Sequence, residues 1–155
     1  MMILKTFSSN ETKKIAKNLT QKIINKYENI KNENALIFAL IGQLGTGKTT
    51  FVSGFLKGLN IKKPSPSPTF ILMRRKKINH KFFKNLYHID AYRIKNNKEL
   101  LNLNLKEILN NPQNIVLIEW ANKIENILPA NTIQIHFYHG KFENERKIIL
   151  KNITL

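Results

Sequence analysis

The chain has 155 residues, a formal net charge of +16 from 26 basic and 10 acidic side chains, and no cysteine. That length fits one domain, 1–155, with a real core and no room for a separate substrate domain, and the missing thiols exclude a disulfide framework and a thiolate metal centre, which favours a cytoplasmic setting. No apolar run reaches the length of a membrane span, and Met1-Met2-Ile3-Leu4-Lys5 lacks the basic-then-apolar order of a signal peptide, so we expect a soluble, intracellular protein with no membrane partner.

The charge has two readings. One is a polyanionic partner; the other is the Lys-, Asn- and Ile-rich usage of an AT-rich coding sequence, because the lysines are scattered through every segment. The densest cluster, Arg74-Arg75-Lys76-Lys77, is the candidate interaction surface.

Ile3 to Phe7 reads as a short strand. Ser8 and Glu11 then have the spacing of a capping box, and Ile15, Leu19 and Ile23 form one stripe of a helix ending near Tyr27. After a polar turn from Glu28 to Asn34, Ala35 to Ile41 is a near-continuous apolar run, as expected of a parallel strand covered on both faces.

Gly42-Gln43-Leu44-Gly45-Thr46-Gly47-Lys48-Thr49-Thr50 follows and fills the spacing G-x-x-x-x-G-K-[ST]. Gly42, Gly45 and Gly47 let the backbone N–H groups of Gly42 to Thr50, including Leu44 and Thr46, turn toward phosphate oxygens. Lys48 is positioned to reach the β- and γ-phosphates, and is expected to be solvated without them; the Thr49 hydroxyl would take one position on Mg²⁺. Phe51, Val52, Phe55, Leu56 and Leu59 recur at helical spacing, so the motif has the strand before it and the helix after it that its chemistry needs.

Three prolines stiffen Pro64 to Phe70 into an extended segment that is either a linker or a nucleotide-sensing loop carrying Thr69. Phe70 to Met73 and Phe82 to Ile89 read as a hairpin around a basic turn. Asp90, just past the second strand, is either a ligand to Mg²⁺ or water, or a helix cap. Lys98 to Leu109 reads as helical, with Asn104 a possible break. Ile115 to Ile118 is an apolar strand ending in Glu119, the pattern of a Walker-B carboxylate beside the metal held by Thr49. Ile124 to Leu128 reads as a short helical piece, and Thr132 to Tyr138 and Arg146 to Leu150 as two strands around Gly140. His80, His88, His136 and His139 show no metal-ligand spacing and are read as non-catalytic.

With these residues in place, the chain resembles the TsaE (YjeE) family, P-loop ATPases of bacterial tRNA threonylcarbamoyladenosine synthesis. The resemblance rests on the phosphate loop, Ser67-Pro68-Thr69-Phe70, Leu86-Tyr87-His88-Ile89-Asp90-Ala91-Tyr92-Arg93 and Leu117-Ile118-Glu119-Trp120, with Leu128-Pro129 following. It implies a three-layer α/β P-loop NTPase fold with a mostly parallel central sheet. It also implies ATP and Mg²⁺ as cofactors, Thr49 and Glu119 as metal ligands, and Lys48, Asp90 and Glu119 as the catalytic set. The stretch Ser9 to Thr12 and Arg146 would flank the adenine. The implied partners are TsaD and TsaB, with tRNA contacted indirectly or weakly. Gln43, Thr46, Arg74-Arg75 and Asn104 depart from the family's usual residues.

Two other functions compete. Asn122-Lys123-Ile124-Glu125 imitates the guanine motif of a GTPase, but Glu125 replaces its Asp, and Asp90 is followed by Arg93 where D-x-x-G needs glycine. A small P-loop kinase would need an Arg-bearing lid, and after Glu119 the only arginine is Arg146.

Overall fold

The computed structural model describes residues 1–30, 33–61, 72–94 and 103–153. The candidate sensing segment Pro64 to Phe70, with Thr69, and the residues 98–102 expected to open a helix lie outside the described residues.

The strands are β1 (Met2–Thr6), β2 (Leu36–Gly42), β3 (Met73–Lys77), β4 (Asn85–Asp90), β5 (Asn114–Glu119), β6 (Ile133–His139) and β7 (Arg146–Lys151). The helices are α1 (Ser9–Tyr27), α2 (Lys48–Gly58) and α3 (Leu105–Leu109), with 3-10 turns at Ala91–Arg93, Ala121–Lys123 and Glu125–Ile127. The strands make one sheet in the order β1-β7-β6-β2-β5-β4-β3. Its centre, β6-β2-β5-β4, is parallel, and β1, β7 and β3 extend it with antiparallel pairings on both flanks.

Alternation along the strands sorts the core onto two faces. Phe38, Leu40, Leu86, Ile115, Leu117, Ile135 and Phe137 pack against α1 and α2. Ile37, Ala39, Ile89, Val116 and Ile118 pack against α3 and the 3-10 turns through Leu105, Ile108, Ala121 and Ile124. Central strands buried on both faces explain why β2 and β5 read as unbroken apolar runs.

Ser8 caps α1 by accepting from the Glu11 N–H at 3.1 Å, while the Glu11 carboxylate reaches back one residue further than a capping box requires and accepts from the Phe7 N–H at 2.7 Å. α1 then crosses α2 at close range over Gly54 and Gly58. A Cβ on Gly54 would stand 2.3 Å from the Lys13 carbonyl oxygen and 2.8 Å from Ala16 Cβ, and one on Gly58 would stand 2.7 Å from Thr20 Cβ. These two glycines, one helical turn apart, set how near α1 lies to the helix that begins at the phosphate loop.

One expectation is corrected. Arg74 to Lys77 is not the hairpin turn but the body of β3, paired from Met73↔Ile89 to Lys77↔Asn85; the connection is the later stretch through Ile78 to Lys84, whose ends are joined by the Ile78 N–H to the Lys84 carbonyl at 3.0 Å. Consecutive charged residues conceal a strand at a sheet edge, where neither apolar run nor alternation is required. The possible break at Asn104 is borne out: it lies in the left-handed region at φ 50° and starts α3, which runs over Leu105–Leu109.

Candidate active site

β2 ends at Gly42 and α2 begins at Lys48, so Gln43 to Gly47 wraps the space between a strand end and a helix start. A Cβ on Gly42 would meet the Phe137 carbonyl oxygen at 2.7 Å and Thr46 Oγ1 at 2.9 Å, which only glycine avoids. Gly45 and Gly47 take φ values of 76° and 98°, turning the loop as a phosphate cradle requires. The buried Thr46 hydroxyl donates to the Gln43 carbonyl at 2.7 Å and tightens the loop from within. Leu44 is at the tip, 83% exposed, so any contribution it makes is through its backbone. Thr49 is exposed on the first turn of α2, and Thr50 is half-buried.

Lys48 corrects the expectation of a solvated side chain. It is 5% exposed, its ammonium donates to the Gly42 and Gln43 carbonyls at 2.7 Å each, and it lies 4.0 Å from the centre of the Trp120 ring. Burial lowers its affinity for a proton below the usual lysine range, and the negative charges of Glu119 and Asp90 oppose that shift. The carboxylates responsible stand at the same end of the sheet. Asp90 and Glu119 are register partners across the parallel pair β4–β5, so their side chains leave the same face, the one covered by α2.

Asp90 is 6% exposed and its Oδ1 accepts from the Tyr92 N–H at 3.0 Å, which makes it the cap of the Ala91–Arg93 turn. Glu119, 4% exposed, has Oε1 2.9 Å from His88 Nε2, and His88 is itself buried. The reading of His88 as non-catalytic stands, but it left out this contact: His88 lies two residues before Asp90 on the same face of β4 and holds the Glu119 carboxylate. The period-2 count back from Asp90 was the available signal. Trp120 was likewise given no role; it sits in the left-handed region at φ 57°, uncommon for an aromatic residue, and that turn brings its ring to Lys48 and to within 5.0 Å of the Tyr92 ring.

Thr12 and Arg146, far apart in sequence, meet at a cavity of about 310 Å³ beside the loop, lined also by Phe7, Ser8, Gly47 and Thr50. Thr12 Oγ1 donates to the Ser8 carbonyl at 3.1 Å and pairs with Thr6 Oγ1 at 2.7 Å. Arg146 is aimed by two bonds from Nη1 to the Glu143 and Glu145 carbonyls at 2.6 and 2.8 Å. The guanine-like residues are elsewhere. Lys123 Nζ donates to the Tyr92 carbonyl, and Glu125 lines a separate cavity with Ala39 and Ile41 on the opposite face of the sheet.

Among the described residues no three His, Cys, Asp or Glu side chains converge into a metal cage. The Thr49 hydroxyl and the Glu119 carboxylate are the oxygen groups that could hold Mg²⁺, an ion that keeps waters and shares its remaining ligands with phosphates.

The family model described as "Threonylcarbamoyl adenosine biosynthesis protein TsaE" matches residues 6–148. A Bacillus subtilis relative called tRNA threonylcarbamoyladenosine biosynthesis protein TsaE is 41% identical over 64% of this chain and 59% of its own, and the match therefore spans less than two thirds of that protein. Haemophilus influenzae and Rickettsia prowazekii proteins of the same name are 33% and 37% identical over 80% and 83% of this chain and 77% and 81% of theirs. The crystal structure of Bacillus subtilis YdiB superposes with a TM-score of 0.68 at 32% identity, covering 95% of this chain and 82% of that one.

Proposed function

The chain belongs to the TsaE family, and from that premise we propose that it binds and hydrolyses ATP with Mg²⁺ in the synthesis of threonylcarbamoyladenosine in tRNA, acting through a nucleotide-dependent complex with TsaD and TsaB. The observation that carries the reading is the convergence of a buried Lys48 with Asp90 and Glu119 at one end of the parallel strands.

In this reading the backbone N–H groups of Gly42 to Thr50 and the start of α2 bind phosphate oxygens, and Lys48 exchanges its two loop carbonyls for the β- and γ-phosphates. Mg²⁺ held by Thr49 and Glu119 would offset the negative charge that grows on the transferred phosphoryl group. His88 keeps the Glu119 carboxylate oriented, while Asp90 accepts a hydrogen bond from the attacking water. Thr12 and Arg146 border the cavity for the adenosine end. After Glu119 the only arginine is Arg146, so the chain lacks the Arg-bearing lid of a kinase, which favours hydrolysis coupled to a partner surface.

The test is ATP turnover, with and without TsaD–TsaB, of wild type and Lys48→Ala. Stimulated turnover that vanishes in a folded Lys48→Ala protein is expected; equal turnover of the two refutes the reading.

A further inference from the structure

Cavities, buried polar groups and charged patches outside the nucleotide site single out β3. It is the terminal strand of the sheet, and its four consecutive basic residues point alternately to both faces. Arg75, Lys76 and Lys77 are exposed. Between β3 and the end of α2 lies a cavity of about 250 Å³, lined by Arg74, Arg75, Lys76 and His88 over Leu56 and Leu86, with no carboxylate among its described lining residues. The acid placed near the neighbouring connection, Glu28, is engaged by His80 at 3.2 Å and Lys81 at 2.8 Å.

We propose that the β3 edge and this cavity form a binding surface for the phosphate backbone of RNA. Lysines on an edge strand also discourage pairing with another sheet, but that function needs neither a cavity nor an ordered arginine. Arg75 is ordered: its Nε and Nη2 donate to Asn85 Oδ1 at 3.0 and 2.9 Å, and its guanidinium carbon lies 5.9 Å from the Tyr87 ring centre. Among the described residues two of its five donors are used, and the other three stand in a fixed fork that matches a phosphate. Arg75 stands on the Tyr87 face and Arg74 and Lys76 on the cavity face, so the strand edge presents successive charges that suit a polymer with one negative charge per repeat. The net charge of +16 would speed the encounter. The choice of RNA over an acidic protein rests on the function proposed above, which places a tRNA in the same pathway step. His88 joins the two regions, lining this cavity while holding Glu119.

The test compares two triple variants of the full chain that lower the net charge equally. Arg75→Glu/Lys76→Glu/Lys77→Glu alters the edge; Lys14→Glu/Lys17→Glu/Lys22→Glu alters exposed positions on α1. Binding of an unmodified tRNA transcript is followed by anisotropy from about 50 to 200 mM salt, with poly-glutamate as the acidic competitor. The edge variant is expected to lose at least about tenfold in affinity near 100 mM salt and about two units of the log–log salt slope, and the α1 variant less than about threefold. The milder Arg75→Gln/Lys76→Gln/Lys77→Gln should follow the edge variant, which separates lost charge from lost fold. Equal losses in the two charge-reversed variants, no wild-type binding near 100 mM salt, or tighter binding of poly-glutamate than of tRNA overturns the proposal. Trp120 emission on adding ATP is recorded for each protein. A silent wild type with selective loss of RNA at the edge would remove the ATP reading and leave this one standing.

Discussion

His88 Nε2 lies 2.9 Å from Glu119 Oε1, and this contact between β4 and β5 is buried on both sides. It fixes which way the carboxylate points, and with Mg²⁺ held by Glu119 as proposed it would be the outer contact that orients a metal ligand. Glutamine can offer an N–H near the position of Nε2, whereas leucine cannot. His88→Leu is expected to weaken Mg²⁺-dependent turnover by about 10- to 100-fold and raise the Mg²⁺ concentration needed, with His88→Gln recovering much of both. If the two variants melt alike and lose activity alike, His88 is only filling space.

Lys48 and Trp120 give a spectroscopic handle. Trp120 is the sole tryptophan, and the Lys48 ammonium lies over its ring. Withdrawal of that cation toward a triphosphate should change the emission, so titration with ATP is expected to shift Trp120 fluorescence in wild type and not in Lys48→Ala. An identical shift in both would disconnect the lysine from the nucleotide.

Gly54→Ala is expected to lower stability by about 1–3 kcal/mol, because its Cβ would press on the Lys13 carbonyl at 2.3 Å. The displaced α1 carries Thr12 and helix-start residues Ser8 and Ser9, which line the cavity beside Gly47. Thermal melting and ATP affinity should therefore fall together. Unchanged melting would mean that the helices can separate without cost.

Glu145 gives a pH-dependent test. The Lys141 N–H, donating at 2.8 Å, and then the Lys5 ammonium at 3.2 Å hold its carboxyl below the ordinary glutamate value. A carboxyl lowered in the folded state stabilises above its unfolded value and loses that contribution as pH falls through the folded one. Glu145→Gln should melt below wild type at neutral pH, and the gap should close as pH drops below about 4. A gap that is constant from pH 7 to pH 3 would exclude the charge as its source.

The centre of the fold was legible because its physics is local. Continuous apolar runs mark β2 and β5, glycine spacing marks the loop, and Ser8 marks the start of α1. β3 was misplaced because an edge strand can be wholly basic, whereas the break at Asn104 was legible because asparagine tolerates the left-handed region in which it lies. Lys48 and Thr49 were chosen from motif spacing, and Asp90 and Glu119 from their places at the ends of apolar strands. That His88 holds Glu119, 31 residues further along the chain, depends on the register of β4 against β5, and that Lys48 is buried against Trp120 depends on how α2 sits over the end of β5.

The central claim is that Glu119 serves metal-dependent hydrolysis and not the binding of ATP. Its most direct test is single-turnover hydrolysis by Glu119→Gln in the presence of TsaD–TsaB, with ATP affinity measured on the same protein. The account predicts affinity within about threefold of wild type and a rate lower by about 100-fold or more. Hydrolysis at the wild-type rate by a variant that binds ATP normally would contradict it.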